Sequence, residues 1–298
     1  MQPSRLRIAA IGLLIAVSLA ACSGGGSSST PIAHPGGDAL VFRIETTGGF
    51  IAPEARFTAV PEFTLLGDGR VIEPGAVDMI YPGPAILPLL ERRLSETGIQ
   101  AVLREVAATG LFTGDRDLNG AQARVMDAGT TVFTFHAGGR EARVAVYGLG
   151  MVDEGAASGL SADELAAHRL LTALASRLAG LDGWLNAAAW SDPTSRPFRA
   201  DALRLLVRNA DADPPDQSGI ARQMLPWPVA TDPASFGSPV AGQPGARCGV
   251  VTGLDAAGWL AALDRANAIT RFVAAGHAYA VTARPLLPDE PRSCPTGS

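Results

Sequence analysis

The sequence predicts an α+β protein with two small units, each a β-sheet with a helix packed on it. Two patterns support this class. Residues 130–147 alternate apolar and polar side chains around a Gly138-Gly139 turn, which is typical of a β-hairpin. Residues 99–106 instead repeat apolar side chains at the spacing of one helical face. Strand and helix patterns return after residue 198, which predicts the second unit.

The first unit is predicted over residues 38–150. Its first strand is expected at 39–47, where apolar and β-branched residues alternate. Residues 61–72 predict a hairpin, because two short apolar runs are joined by Asp68-Gly69. The helix over 99–106 and the hairpin over 130–147 complete a sheet that covers one helix.

Residues 151–197 are predicted to form a helical connector. Ser161 and Glu164 have the spacing of a capping box ahead of a stripe of leucines. The proline-rich stretch 191–246 is expected to be irregular, apart from a strand at 198–207.

The second unit is predicted over residues 198–298. Strands are expected at 248–253 and 277–287, with a helix between them that Asp255 would cap. The two units are thus predicted to be joined by one helix and a proline-rich irregular segment.

The first 21 residues have the pattern of a bacterial lipoprotein signal peptide. Arg5 and Arg7 precede an uncharged apolar stretch, residues 8–21. That stretch is shorter than the roughly 20 apolar residues that span a bilayer. The sequence LAAC at 19–22 resembles the lipobox, which implies a diacylglycerol on the Cys22 thiol. The alternative is a simple secretory signal with a chance cysteine.

Residues 22–37 are rich in Gly, Ser and Pro and are predicted to be a tether. A diacyl anchor would hold the protein stably, since a single acyl chain gives only marginal membrane binding. The predicted location is the outer face of the cell membrane, or the outer membrane where the host has two.

Composition excludes several functions. The chain contains arginine but no lysine, and its formal net charge is −5. Phosphate binding by a P-loop and SxxK acylation chemistry both require lysine. No dense basic cluster is present, so we expect no nucleic-acid partner. Cys248 and Cys294 remain after Cys22 is assigned to the lipid, and in an exported chain they predict a disulfide. A catalytic thiol is the alternative.

One stretch resembles the start of a calcium-binding loop. Asp115, Asp117 and Asn119 place oxygen ligands at alternate positions before Gly120. The twelfth position of this loop is Met126, where a bidentate acid is expected. The alternative is a polar turn, and no other cofactor is predicted.

Three segments together resemble a family of bacterial lipoproteins of unknown activity from GC-rich, actinobacterial-type genomes. The segments are 61–72, 127–135 and 284–294. The resemblance implies export, the lipid anchor and the α+β architecture, and it implies no catalytic residue.

The sequence therefore predicts a membrane-anchored lipoprotein whose folded part binds an unknown protein or small molecule, or has a structural role. The alternative is an exported hydrolase with a dispersed active site, so whether the protein is an enzyme stays open. Five residues are candidates for such a site. A polar pocket that joins two or more of them would favour the hydrolase. Asp289 and Glu290 are otherwise expected to lie in a solvated turn, and the histidines to be structural or on the surface. The candidates are His136, His168, His277, Asp289 and Glu290.

Overall fold

A computed structural model describes residues 30–120, 125–152 and 159–295. From Ile32 onward the chain forms one compact unit. It combines helices with two β-sheets, which confirms the α+β class. The α-helices are α1 Pro53–Thr58, α2 Glu96–Ala108, α3 Ala162–Ala179 and α4 Gly253–Leu263. The strands are β1 Leu40–Gly48, β2 Phe63–Leu66, β3 Arg70–Pro74, β4 Leu89–Leu94, β5 Arg116–Leu118, β6 Gly129–Ala137, β7 Arg140–Tyr147, β8 Trp190–Pro197, β9 Ala202–Asn209, β10 Met224–Pro226, β11 Ser238–Pro239, β12 Ala246–Thr252, β13 Arg271–Ala274 and β14 His277–Pro285.

The strands form two sheets. The first sheet has the order β5-β7-β6-β1-β2-β3-β4-β8, and the second has the order β10-β13-β14-β9-β12-β11. Neighbouring strands are antiparallel except for the pairs β5–β7 and β10–β13, which are parallel. The predicted turn between β6 and β7 is present. Gly138 and Gly139 have φ angles of 64° and 69°, a region that favours glycine.

Helices α2 and α3 share a core with the first sheet. The predicted apolar face of α2 contributes Val102, Leu103 and Val106, which are fully buried with Phe42 and Phe133. Ser95 caps α2 by accepting a hydrogen bond from the Gly98 amide. Helix α3 begins with the predicted capping box, in which Ser161 and Glu164 each bind the other's backbone amide. The leucine stripe of α3 therefore faces the same core as α2.

Helix α4 packs on the second sheet. Trp259 is completely buried and contacts Phe272 and Trp227 edge-to-face, at ring-centroid distances of 4.9 and 4.7 Å. Helix α4 begins two residues before the predicted cap Asp255, and Thr252 is its N-cap residue without a side-chain hydrogen bond. The predicted helix is therefore present, with a different start.

The segment predicted as a connector belongs to the first sheet and its core. Helix α3 packs against α2, and β8 pairs with β4 at the sheet edge. The stretch 191–246 contains β8, β9, β10 and β11, so the prediction of one strand there was wrong. Pro193 and Pro197 are compatible with β8 because an edge strand has amides that need no partner in the sheet.

A third, smaller apolar cluster joins the two sheets. Leu66, Ile72 and Leu89 lie on the first sheet, and Leu287 follows the last strand of the second sheet. Leu65, the neighbour of Leu66, contributes to the helix-covered core, so alternation along β2 assigns Leu66 to the opposite face. The chain after β14 therefore covers the face of the first sheet that the helices leave free.

Candidate functional site

The N-terminal anchor prediction lies largely outside the described residues. These begin at residue 30, so they include neither Cys22 nor the predicted signal peptide. The end of the predicted tether is described, and it is held against the fold. The Gln100 side chain accepts a hydrogen bond from the Ile32 amide and donates one to the Ile32 carbonyl, both at 2.8 Å. The Gly138 amide donates to Ala33. Because Ile32 and Ala33 have fixed partners, the predicted tether 22–37 extends too far by its last residues.

His34 also lies in this held segment. Its Nδ1 is 2.7 Å from the Pro35 carbonyl oxygen, and its Nε2 is 3.1 Å from a carboxylate oxygen of Glu96. Both partners are acceptors, so only the doubly protonated ring can donate to both. The Glu96 pKa is lowered by the hydrogen bond from Gln100 and, after it, by His34, with partial burial opposing both. The segment is thus held by polar contacts to α2.

The C-terminal segment is fastened by the predicted disulfide. Cys248 on β12 is bonded to Cys294, and their Cα atoms are 6.0 Å apart. Arg204 Nε on β9 also donates to the Ser293 carbonyl oxygen at 2.9 Å. This end of the chain is therefore tied covalently and by hydrogen bonding to the second sheet.

The acidic pair before the disulfide is buried. Arg43 on β1 donates to Asp289 at 2.7 Å, and Arg284 donates to both Glu290 carboxylate oxygens at 2.7 and 2.8 Å. The two side chains of the Arg43–Asp289 pair are 10% and 11% exposed, and those of the Arg284–Glu290 pair are 7% and 10% exposed. Burial opposes ionisation of Glu290, but Arg284 outweighs it and holds its pKa below the ordinary value. The expectation of a solvated turn was wrong, because both acids find arginine partners.

Glu45 lies beside these pairs on β1. Burial raises its pKa above the ordinary value, and the positive charge of Arg43 offsets this only in part. Glu290 and Asp289 raise the pKa further, while Arg284 lowers it. Sequence reasoning missed Glu45, because a glutamate on a strand with alternating residues has no signal of burial.

The three candidate histidines lie on different elements of the fold. His168 on α3 is 3% exposed, and neither ring nitrogen has a hydrogen-bond partner among the described residues. Burial lowers its pKa, and Glu164 opposes the effect. His277 is exposed, and its Nδ1 is 2.6 Å from an Asp211 carboxylate oxygen. His136 on β6 lies opposite Glu141 on β7 in the register of the hairpin.

The calcium candidates lie along a strand. An Asp115 carboxylate oxygen accepts from the Arg143 amide at 2.8 Å, and Asp117 accepts from the Arg143 guanidinium at 3.2 Å. Asp117 is on β5 and Asn119 follows it, so this backbone is extended rather than wrapped around an ion. Among the described residues no group of three His, Cys, Asp or Glu side chains could hold a metal ion. The calcium site stays a prediction that this geometry does not support.

None of the following three cavities joins two of the five candidate residues. An open cavity of about 640 Å³ is lined by His34 and His136 at the hairpin end of the first sheet. A cavity of about 260 Å³ between the sheets is apolar, with Arg199 and Asp264 at its border. A third cavity, of about 560 Å³, is bordered by Tyr81 and by the chain that leads to β10.

The third cavity, which we call the Arg222 pocket, contains an arginine side chain with an unsatisfied hydrogen-bond donor. Its lining includes Tyr81, Pro214, Pro215, Asp216, Ser218 and Arg222. The Nε atom of Arg222 is buried and has no acceptor among the described residues. Tyr81 Oη donates to Asp216 at 2.6 Å, and Asp216 also accepts from the Ser218 amide at 3.0 Å. Hydrogen bonds from Ser218 and Tyr81 hold the Asp216 pKa down at about 2.

Two loops and one strand position this pocket. Tyr81 lies between β3 and β4 of the first sheet, whereas Arg222 precedes β10 of the second. The Gln223 carbonyl accepts from the Arg271 amide, and Met224 is the parallel partner of Arg271 on β13. Sequence reasoning missed Arg222, since an arginine without an acceptor can be recognised only once its neighbours are known.

No protein-family model matches the chain, and the searches of curated proteins and of solved structures find no match. Within residues 30–120, 125–152 and 159–295, no helix is both long and apolar enough to cross a membrane. The lipoprotein resemblance therefore stays a prediction.

Proposed function

We propose that the chain is an extracytoplasmic lipoprotein, held at the outer face of a membrane by a diacylglycerol on Cys22, and that its folded part binds a ligand. The observation that carries the proposal is the Cys248–Cys294 disulfide. Disulfides persist in oxidising compartments and are rare in the cytosol. The LAAC sequence at 19–22 supports the anchor, because it follows a charged and then an apolar stretch.

Metabolic labelling tests the anchor. The wild-type chain and Cys22→Ser are expressed in a bacterial host with radioactive palmitate and then fractionated. We expect label and membrane association only for the wild type. Cys248→Ser is the matched control, since it removes a cysteine and leaves the lipobox intact. An unlabelled, soluble wild-type protein would contradict the anchor.

The disulfide has a separate test. The purified mature protein is alkylated without reductant, and its intact mass is measured. We expect no modification of Cys248 or Cys294 before reduction and modification of both after reduction and unfolding. Two alkylated thiols on the unreduced folded protein would remove the observation on which export rests.

A ligand-binding role is supported by the Arg222 pocket. Its volume of about 560 Å³ lies within the roughly 300–1,000 Å³ range of small-molecule sites. It also contains a guanidinium atom that lacks an acceptor among the described residues. Such a group is stabilised when a ligand supplies the acceptor.

A hydrolase is the second candidate, and one contact favours it. The Asp211–His277 pair has the carboxylate-to-imidazole hydrogen bond that orients the base in a catalytic triad. Its test is labelling of the mature protein with a fluorophosphonate probe. Labelling that His277→Ala abolishes, and that His136→Ala leaves unchanged, would favour the hydrolase over the binding protein.

A further inference from the structure

We infer that the Arg222 pocket binds the carboxylate group of a small organic monoanion whose apolar part lies against Tyr81 and Pro214. The inference rests on the proposed binding role and names the ligand class. Arg222 makes no ion pair or hydrogen bond within the described part of the chain. The other half-buried arginines of the described residues all have an acceptor, which is a carboxylate or a backbone carbonyl oxygen. Examples are Arg70, Arg92 and Arg271.

The missing acceptor at Arg222 points to a ligand oxygen. A buried donor without an acceptor costs free energy, because it has lost water and gained nothing in exchange. The planar guanidinium presents parallel N–H groups, which match the two oxygens of a carboxylate. The charge of Arg222 makes a small contribution to the low pKa of Asp216, yet no salt bridge forms between these two described side chains. An incoming carboxylate therefore meets a guanidinium that no neighbour occupies.

Charge in the pocket favours a monoanion. Asp216 lines the same cavity and is held ionised by its hydrogen bonds, so Arg222 and Asp216 together contribute no net charge. Asp216 repels the doubly charged form of phosphate about twice as strongly as a monoanion, and the described lining of the pocket offers one guanidinium to neutralise it. A carboxylate carries a single negative charge, and the parallel N–H groups of one guanidinium are enough to bind it.

The walls of the pocket favour an apolar group beside that carboxylate. Pro214 and Pro215 have no amide hydrogen to donate, and the hydroxyl proton of Tyr81 is taken by Asp216. The ring of Tyr81 and the two proline rings therefore present mainly carbon to a ligand.

Binding of 4-fluorobenzoate to the mature protein in detergent tests the inference. Fluorine NMR titration reports the binding, with 4-fluorobenzyl alcohol as the neutral analogue. We expect saturable binding of the benzoate, none of the alcohol, and displacement by acetate but not by an equal concentration of phosphate at constant ionic strength. Displacement by phosphate alone, or equal binding of the alcohol, would overturn the carboxylate assignment.

Variants locate the binding. Arg222→Gln should weaken binding by about tenfold or more, since a hydrogen bond to a charged group is lost. Arg222→Lys keeps the positive charge but loses the parallel N–H groups of the guanidinium. Its affinity should lie between those of the wild type and Arg222→Gln. The control is Arg199→Gln, because Arg199 borders the cavity between the sheets and also has no ion pair among the described residues. Equal affinity of Arg222→Gln and Arg199→Gln, with unchanged melting temperatures, would overturn the inference. Palmitate labelling of the same preparations shows separately whether the anchor proposal holds.

Discussion

The two ends of the folded region are fastened by different kinds of interaction. The N-terminal segment around Ile32 is held by neutral hydrogen bonds from Gln100 and by the His34–Glu96 contact, near the surface of the first sheet. The C-terminal segment around Asp289 is held by buried ion pairs and by the disulfide. It also places Leu287 in an apolar cluster. The N-terminal segment was predicted to be the end of a tether and Asp289 to lie in a solvated turn, whereas both are part of the packed structure.

The difference shows which end the fold depends on. Backbone groups of the N-terminal segment can exchange their partners for water, so its release should cost little. The C-terminal segment packs between the sheets, and its loss would remove the carboxylate partners of the buried Arg43 and Arg284 side chains. We therefore expect changes in the C-terminal segment to destabilise the contact between the two sheets. Changes in the N-terminal segment should leave that contact intact.

Removing Asp289 should have the largest effect. Asp289→Ala leaves Arg43 buried without its carboxylate, and breaking a buried pair in this way costs about 3–5 kcal/mol. Urea unfolding of the mature protein measures the loss. Arg43→Met combined with Asp289→Leu should recover much of it, because no unpaired charge is left buried.

A surface pair of the same segment provides the control for Asp289. Asp201 accepts from Arg292 at 2.7 Å, and these side chains are 67% and 51% exposed. Exposed ion pairs contribute about 0–1 kcal/mol, so Asp201→Ala should change the free energy of unfolding little. Equal losses for Asp289→Ala and Asp201→Ala would show that the buried pairs do not hold the sheets together.

Removing Gln100 should have an intermediate and local effect. Gln100→Ala takes away both hydrogen bonds to Ile32, for which we expect a loss of about 1–2 kcal/mol. Hydrogen exchange should accelerate at the Ile32 amide and at the Gly138 amide, which donates to Ala33. Gln217→Ala, at an exposed loop residue, is the matched control. Unchanged exchange at both amides would mean that Gln100 does not hold the N-terminal segment.

Local patterns predicted the elements whose signals lie within a few residues. The β6–β7 hairpin and helix α2 follow from periodicity and from their turn and cap residues, which report local geometry. The disulfide followed from counting, because only Cys248 and Cys294 remained to pair. Strand β8 was missed, since its prolines favour irregular structure and only pairing with β4 makes it a strand.

The parts of the candidate site that were missed depend on long-range contacts. Arg43 and Asp289 are 246 residues apart in the sequence, so neither has a signal that the other is its partner. The Arg222 pocket combines a loop of the first sheet with a loop of the second, and the lack of an acceptor for Arg222 is a property of the assembled structure. Charge partners and cavities are tertiary features, and residue spacing does not predict them.

Glu45 should show the smallest effect, with the opposite sign. Its pKa is raised mainly by burial, so the folded state binds its proton more tightly than the unfolded state does. Ionised Glu45 therefore lowers the free energy of unfolding at neutral pH. Glu45→Gln removes that charge and should raise this free energy by on the order of 0.5 kcal/mol at pH 7.

The pH dependence distinguishes this cause from a change in packing. For a carboxyl group with a raised folded pKa, the penalty is present above that pKa and disappears below the unfolded value of 4.5. The gain of Glu45→Gln should therefore shrink as the pH falls and vanish near pH 4, as measured by urea unfolding across the range. Glu141→Gln, on an exposed part of the β6–β7 hairpin, is the control. A gain that persists below the unfolded pKa would mean that glutamine packs better than glutamate, and that the charge of Glu45 does not lower the free energy of unfolding.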